Sequence, residues 1–512
     1  MSAPEVSLHK LEYMSSEPTQ EISLHKREMK TDKMKIPVVF HVSEKLMPNE
    51  STLEQLESVA GNDGLFHHIA AMADVHSKPG RKNATGTTIA SERAIFPQLN
   101  DSDPACGMRL VRTSLNESNF SPEDIKNVFE ALVPRIPTKA YLGTYLPFPL
   151  IADICRAGIR PLIDHFGIET KHEAINSLDR GNFFDRKLSR KEIYDIIPPF
   201  FLFLAQFRSG ILGAAGNHFL DLMKVTGIED EAIARKFNIK NGDYLFMVHC
   251  GSGILGQYTM YMYTAKKREH KSTAVMMNIG RALWSTPHRA VISTIARKIR
   301  ESDFGKKEPL IEFTGQEADL YMAARNACSN FAHANRAVIA HTISKTIKEK
   351  TGRDPEFDLL YDMPHILVSR ENHYGKDVWV HRNGTTRAYG PDRMADHPTF
   401  SETGEPAFIP SSMSTEAYLV AGTNENKSSF FSCNHGAGKV AKKTESVVPE
   451  NRSSLDNKLA SRGVTLYNGR SKKVIEQDSS HYKEIGEIMA GVRENGIGKP
   501  VARMMPVSII MY

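Results

Sequence analysis

Apolar and polar positions follow two different periods along this chain, and the changes of period mark its elements. The run Ile36-Pro37-Val38-Val39-Phe40-His41-Val42 is nearly continuous in apolar residues and predicts a strand. Between Thr52 and Val59 the apolar residues fall at helical spacing. Ser121-Pro122-Glu123-Asp124, ahead of Ile125, Val128 and Phe129, predicts a helix start. A capping serine, a first-turn proline and acidic side chains toward the positive helix end all agree there. Tyr244 to His249 predicts a buried strand running into Cys250-Gly251-Ser252-Gly253. Glu317 to Lys350 predicts one long helix, closed by Thr351-Gly352. Val378 to His381 and Ser429 to Ser432 predict further strands. The longest apolar run, Ile196 to Ala205, holds two prolines and falls short of the ~20 residues a bilayer helix needs. It reads as a buried core segment.

Residues 1–33 differ from the rest. They hold a short duplication, EVSLHK at 5–10 and EISLHK at 21–26, apolar at alternate positions. This predicts a small hairpin or a mobile arm; two copies of six residues are too few for a solenoid. No low-complexity linker divides residues 34–512. Strands and helices mix without βαβ regularity. The expectation is an α+β fold, a single large mixed domain over 34–512 preceded by an arm over 1–33.

Composition narrows the function classes. Lys and Arg number 65 against 60 Asp and Glu, a net charge of +5, which excludes a histone-like or arginine-rich tail protein. A local basic groove for nucleic acid remains compatible, because net charge says nothing of placement. Cys106, Cys155, Cys250, Cys328 and Cys433 form no CxxC pair, and an odd, sparse set suits a reducing, cytoplasmic compartment. The N-terminus has no apolar core of a secretory signal. The twenty histidines are the unusual count.

Five segments gather potential metal ligands or nucleophiles beside small residues: Asp103-Pro104-Ala105-Cys106-Gly107, Gly216-Asn217-His218, His249-Cys250-Gly251-Ser252, Asp362-Met363-Pro364-His365 and Asn434-His435-Gly436-Ala437-Gly438. A thiolate, several imidazoles and a carboxylate suit a divalent ion such as Mn²⁺, Fe²⁺, Co²⁺ or Zn²⁺. Taken singly, each histidine reads first as a hydrogen-bonded, half-buried imidazole, and each cysteine first as an inert core residue. Spacing alone does not choose these five segments.

In their order, the segments resemble the RtcB family of RNA-splicing ligases. The resemblance runs from about Ile36 to Tyr512 and includes AMADVHSKPG, DPACGMRL, GNHFLDL, VHCGSGILG, AARNACSNFAHANR, VWVHRNGTTRAYG, IPSSMSTEAY, SCNHGAGKV and RMMPVSII. It implies an RNA ligase of RNA repair or tRNA splicing. Such enzymes join a 2′,3′-cyclic phosphate or 3′-phosphate end to a 5′-hydroxyl end, using GTP, Mn²⁺ and a histidine–GMP adduct. By the resemblance, Asp103, Cys106, His218, His249 and His365 would hold two Mn²⁺ ions, and His435 would be the guanylylated nucleophile. Asn217, Asp221, Ser412, Gly436, Ala437, Gly438 and Tyr482 would line the nucleotide site. An archease-type activator is a possible partner, and a monomer is the default. Asp74-Val75-His76 matches a family motif without an assigned role.

Several motifs depart from the family pattern. An arginine of the family is absent from Gly251-Ser252-Gly253-Ile254, a lysine from His381-Arg382-Asn383-Gly384, and the terminal Lys-Gly is Met511-Tyr512. Lys439 replaces an arginine, losing its bidentate fork. A glutamate that reads the base is Asp221, one methylene shorter, and Met511 cannot donate a hydrogen bond. The expectation is retained nucleotidyl transfer with altered base preference. Two alternatives share the fold: an altered RNA-end-binding protein, and a metal-dependent cyclic phosphodiesterase. The basic runs Lys266-Lys267-Arg268, Arg297-Lys298-Ile299-Arg300, Lys306-Lys307 and Arg470-Ser471-Lys472-Lys473 are candidates for an RNA path, or solvated faces.

Overall fold

The computed structural model describes residues 19–78, 80–100, 103–138, 142–168, 172–213, 217–263, 310–440, 449–469 and 472–511. Three of the basic runs, the 5–10 repeat and Arg470-Ser471 lie outside them; Lys472 opens a short 3₁₀ segment.

The first sheet contains β1 (Thr19–Ser23), β2 (Lys26–Met29), β3 (Val38–Phe40), β4 (Leu65–His76) and β5 (Thr85–Ser91). The second begins with β6 (Gly107–Asn116), β7 (Phe219–Ile228), β8 (Asp243–Cys250) and β9 (Phe357–Pro364). The chain then returns to the first through β10 (Ile366–His373) and β11 (Lys376–Asn383). After them come β12 (Thr385–Arg387), β13 (Pro406–Ile409), β14 (Ala417–Gly422) and β15 (Ser432–Asn434). Last are β16 (Thr465–Leu466) and β17 (Gly498–Met511).

The seven-stranded sheet has the order β1-β2-β3-β4-β5-β11-β10, and only its β3–β4 pair is parallel. The eight-stranded sheet runs β13-β14-β17-β7-β8-β6-β9, with β16 beside β17. β12 and β15 form a separate antiparallel pair. The repeat at 21–26 falls in the β1–β2 hairpin, whose second strand pairs with β3.

The two sheets bury their facing sides against each other. Phe40, Ile69, Ile89 and Val380 of the first share one core with Leu110, Met223, Met247 and Val420 of the second. The outer face of the second sheet carries Leu220, Leu222, Phe246 and Val248. It is covered by the helix Pro122–Arg135 and by the long helix Gly315–Thr351. The first of these helices starts where its sequence signals, with a reciprocal capping box between Ser121 and Asp124. The long helix ends on Gly352 in the left-handed region, φ +68. Ile196 to Ala205 spans two helix ends, and Pro198-Pro199 starts the second, Pro199–Gln206. The mixture is a single large α+β domain, as its irregular alternation predicts. Among the described residues, no helix is long and apolar enough to cross a membrane.

One predicted element is absent. Ser429 to Ser432 is not a strand: a 3₁₀ turn over Asn426–Ser429 is followed by Phe430 and Phe431 at φ +53 and +49. The side chain of Asn426 ties this turn to the carbonyls of Ser432 and Ile497, and the strand starts only at Ser432. Tertiary hydrogen bonds there overrule the strand preference of two adjacent phenylalanines.

Candidate metal and nucleotide site

Strand register places the candidate ligands. In the order β7-β8-β6-β9, Phe219 faces His249, Cys250 faces Gly107, and Gly107 faces Pro364. His218, His249, Cys106 and His365 therefore fall within two register positions of one another at four adjacent strand ends. Strands about 4.8 Å apart bring such side chains within ligating reach of one another. His365 is the single residue between β9 and β10, where the chain passes from one sheet to the other.

Cys106 Sγ lies 3.2 Å from His218 Nε2 and 3.4 Å from His249 Nε2. His249 Nε2 is 3.0 Å from His365 Nε2, and His218 Nε2 is 3.7 Å from an Asp103 oxygen. His218 donates through Nδ1 to the Leu212 carbonyl, 2.6 Å, and His249 through Nδ1 to the Asn217 carbonyl, 2.8 Å. Both Nε2 atoms therefore present lone pairs to the thiol. Ligands at roughly 2.0–2.3 Å from a tetrahedral ion sit about 3.3–3.8 Å apart. The Cys106, His218 and His249 donors come close to those separations, so the donor set fits a divalent cation. Burial holds the three imidazoles in the neutral form and pushes the Cys106 thiol up, so a bound cation is what would favour the thiolate.

Asp103 is aimed by the turn that follows β8. Ser252 donates to it through both its amide and its hydroxyl, each at 3.0 Å. A Cβ on Gly251 would lie 2.1 Å from Asp103 Oδ2, so only glycine fits there.

Asn335 and Arg336 of the long helix brace these segments from below. Arg336 is fully buried; it binds Asp362 through Nε and Nη2 at 2.9 and 2.7 Å. Its Nη1 donates to the carbonyls of Ala105 and Cys250, the neighbours of Cys106 and His249. Asn335 accepts the Gly210 amide and donates to the Ile211 carbonyl, near the backbone that holds His218. Asp362 also binds Arg109, which pairs with Glu173.

His435 follows β15 and stacks on His365, ring centroids 4.4 Å apart. Its Nδ1 donates to Asp74 Oδ2 at 2.6 Å, leaving the Nε2 lone pair available. Asp74 is fully buried, pressed between two glycines with positive φ, Gly86 at +84 and Gly438 at +71. A Cβ on either would come within 2.7 Å of it. Asp74 is the residue whose role sequence reasoning missed. Lys483, buried and with its ammonium pKa lowered to about 8 by burial, donates to the carbonyls of Ala73 and Val75 on both sides of it.

Most nucleotide candidates surround His435. Gly438 accepts the Lys483 amide, and Lys439 pairs with Tyr482. Tyr482 is half-buried next to them, packed against the core shared by the two sheets. Ala437 donates its amide to the Pro410 carbonyl, and Gly436 lies against the same oxygen. The Ala437 amide is thereby engaged within the protein. Ser412 bonds Thr415 two residues beyond Pro410. Asn217 is exposed beside His218. Asp221 sits farther along β7, opposite Ile509; Met511 is opposite Phe219 on the same sheet face. Burial raises the Asp221 carboxyl well above its ordinary range, and its Oδ1 has no hydrogen-bond partner among the described residues.

The family model described as tRNA-splicing ligase RtcB matches residues 55–511. The tRNA-splicing ligase RtcB of Thermococcus kodakarensis is 28% identical over 497 residues, covering 93% of this chain and 95% of that protein. That of Pyrococcus furiosus is 30% identical over 419 residues, covering 79% of this chain but 39% of that longer protein. That of Aeropyrum pernix is 25% identical over 499 residues, covering 93% of this chain and 95% of that protein.

Proposed function

The chain belongs to the RtcB family, and from that premise we propose that it is an RNA ligase of tRNA splicing or RNA repair. It joins a 2′,3′-cyclic phosphate or 3′-phosphate end to a 5′-hydroxyl end through a GMP adduct on His435. The observation that carries this reading is the Asp74–His435 pair, stacked on a histidine of the Cys106, His218, His249 and His365 cluster. An imidazole held by a buried carboxylate at Nδ1 is a nucleophile at Nε2.

His435 Nε2 attacks the α-phosphorus of GTP; a P–N bond forms and pyrophosphate leaves. Asp74 offsets the charge that develops on the imidazole. A 2′,3′-cyclic phosphate end is first hydrolysed to the 3′-phosphate: water adds to phosphorus, the P–O2′ bond breaks and the 2′-oxygen takes a proton. An oxygen of the RNA 3′-phosphate then attacks the phosphorus of the adduct and the P–N bond to His435 breaks. The 5′-hydroxyl finally attacks the activated 3′-phosphate, giving up its proton as the new P–O bond forms and GMP leaves. Asp103, Cys106, His218, His249 and His365 would hold two Mn²⁺ ions, which supply charge neutralisation and alignment for these displacements.

Asn217, Ser412, Gly436, Ala437, Gly438 and Tyr482 line the nucleotide side. Asp221 and Met511 at the base-reading positions relax or change the preference for guanine. The enzyme acts in the cytoplasm as a monomer, with an archease-type activator as a candidate partner; the expected arm does not extend to residue 33, because residues 19–29 join the first sheet as β1 and β2, the latter paired with β3.

The test is to incubate the protein with Mn²⁺ and α-labelled GTP or ATP. An acid-labile, alkali-stable adduct that His435→Ala abolishes is expected, with ATP labelling more than a guanine-specific site would allow. Absence of an adduct with either nucleotide overturns the reading. Opening of a cyclic phosphate without joining would favour a phosphodiesterase on the same fold.

A further inference from the structure

β4 departs from its ladder where it carries Asp74. Ala71 pairs with Thr87 and His76 with Thr85, so Met72, Ala73, Asp74 and Val75 stand opposite the single residue Gly86. Such a bulge re-aims a side chain and leaves ladder hydrogen bonds unmade. Side chains take the place of ladder partners there. His76 Nδ1 donates to the Asp74 carbonyl at 2.8 Å, and Lys483 Nζ donates to those of Ala73 and Val75 at 2.5 and 3.4 Å. Lys483 also holds the segment that carries His435. Its amide donates to the Gly438 carbonyl at 3.0 Å, beside the pairing of Lys439 with Tyr482. A Cβ on Gly438 would lie 2.7 Å from Asp74 Cα, so this turn rests on the bulge itself. One residue thus ties the strand of the carboxylate to the turn of the imidazole, through its side chain and its backbone.

Charge points the same way. Asp74 is fully buried; its Oδ2 accepts the hydrogen bond from His435 Nδ1, and its Oδ1 has no hydrogen-bond partner among the described residues. A buried carboxylate with an unfilled oxygen needs positive charge close by. The field of Asp74 reaches His76, Cys433 and Lys483. Burial keeps the His76 imidazole and the Cys433 thiol uncharged. Lys483 is as deeply placed, yet burial lowers its pKa only to about 8, so it is an ammonium at neutral pH.

We propose that Lys483 is a positioning residue for the His435 nucleophile: it braces the bulge that aims Asp74 and supplies the counter-charge of that carboxylate. Its effect on rate rests on the ligase reading above; its effect on the Asp74–His435 hydrogen bond does not. The Nζ atom is turned to backbone carbonyls of β4. Its loss therefore acts on the pair and not on the binding of nucleotide.

Lys483→Met keeps the length of the side chain and removes its donors and its charge. The full chain and this variant are compared for the rate of adduct formation over a range of α-labelled nucleotide concentrations with Mn²⁺. The rate at saturation is expected to fall by roughly 10²-fold, with the half-saturating nucleotide concentration unchanged. An unchanged rate, or a loss made good by more nucleotide, overturns the proposal. A second readout needs no chemistry. In protein with ¹⁵N-labelled histidine, the Nδ1 proton of His435 is assigned by its loss in His435→Gln. It is expected far downfield, as a charge-assisted hydrogen bond requires, and is expected to move or vanish in Lys483→Met while the thermal melt stays cooperative. The same position in both proteins overturns the proposal, and so does the absence of such a proton from the unaltered protein. Lys483→Gln, which keeps donors for the carbonyls and loses the charge, decides by the same two readouts where Lys483→Met does not fold. An unaltered protein that forms no adduct sinks the ligase reading, and the proton signal then decides Lys483 by itself.

Discussion

Asp74 fixes which nitrogen of His435 can react. Replacing the acceptor oxygen by an amide removes both the charge and the demand for a proton at Nδ1. Asp74→Asn is expected to slow adduct formation by roughly 10²-fold or more, with the fold intact because the amide is nearly isosteric. Rapid-quench labelling, beside a thermal melt, checks this. Cys106, His218, His249, His365 and His435 are legible because their segments, in order, resemble the RtcB family; spacing alone does not choose them. The role of Asp74 does not stand out in that way, because its partner lies 361 positions away and its environment is made by Gly86 and Gly438 from two other segments. Arg336 was equally hidden: in sequence it is one cation among many on a helix. Only packing reveals that it bonds the backbone on either side of two ligand-bearing strand ends.

Strands and helices with an unbroken period were readable, because period decides which face is buried. The turn at Phe430 and Phe431 was not, because distant hydrogen bonds through Asn426 set its backbone. The same strands and loops bury histidines whose neutrality has a pH consequence. His381 accepts the Phe96 amide at Nε2, and burial lowers its pKa to about 3. His41 and His68 both donate to the Ser428 carbonyl, and burial lowers them to about 4 and about 3. In the unfolded chain each titrates near about 6.5. Below that pH the unfolded state takes up protons that the folded state refuses. Stability is therefore expected to fall as pH drops from about 6.5 toward 4, by about 1.4 kcal/mol per pH unit for each such histidine. Urea titrations at pH 7, 6 and 5 measure the slope. His41→Asn, which can still donate to Ser428, should lower it by about one proton's share.

Across the whole molecule, the long helix ties one sheet to the site. Arg336→Met leaves Asp362 buried with only part of its compensation and is expected to cost about 3–5 kcal/mol. Asn335→Ala should cost about 1–3 kcal/mol and weaken metal binding less. Denaturant midpoints and metal content after dialysis against limiting Mn²⁺ check both. The single-domain architecture was legible as an absence of linkers, whereas the route of the chain between sheets was not: no sequence signal separates β9 from β10, yet they belong to different sheets and His365 is the junction between them. β17 lies between β14 and β7, inside the eight-stranded sheet. Vectorial synthesis thus produces Cys106, His218, His249 and His365 long before the strand that completes their frame. At about 5–20 residues per second the interval after Cys106 is roughly 20–80 s. From the time each is made until β17 follows, the edges of β7 and β14 stand unpaired, open to chaperones or to other nascent chains. A translation product cut short before Gly498 would carry every donor side chain and no rigid arrangement of them, a thiol and imidazoles free to capture stray soft metals.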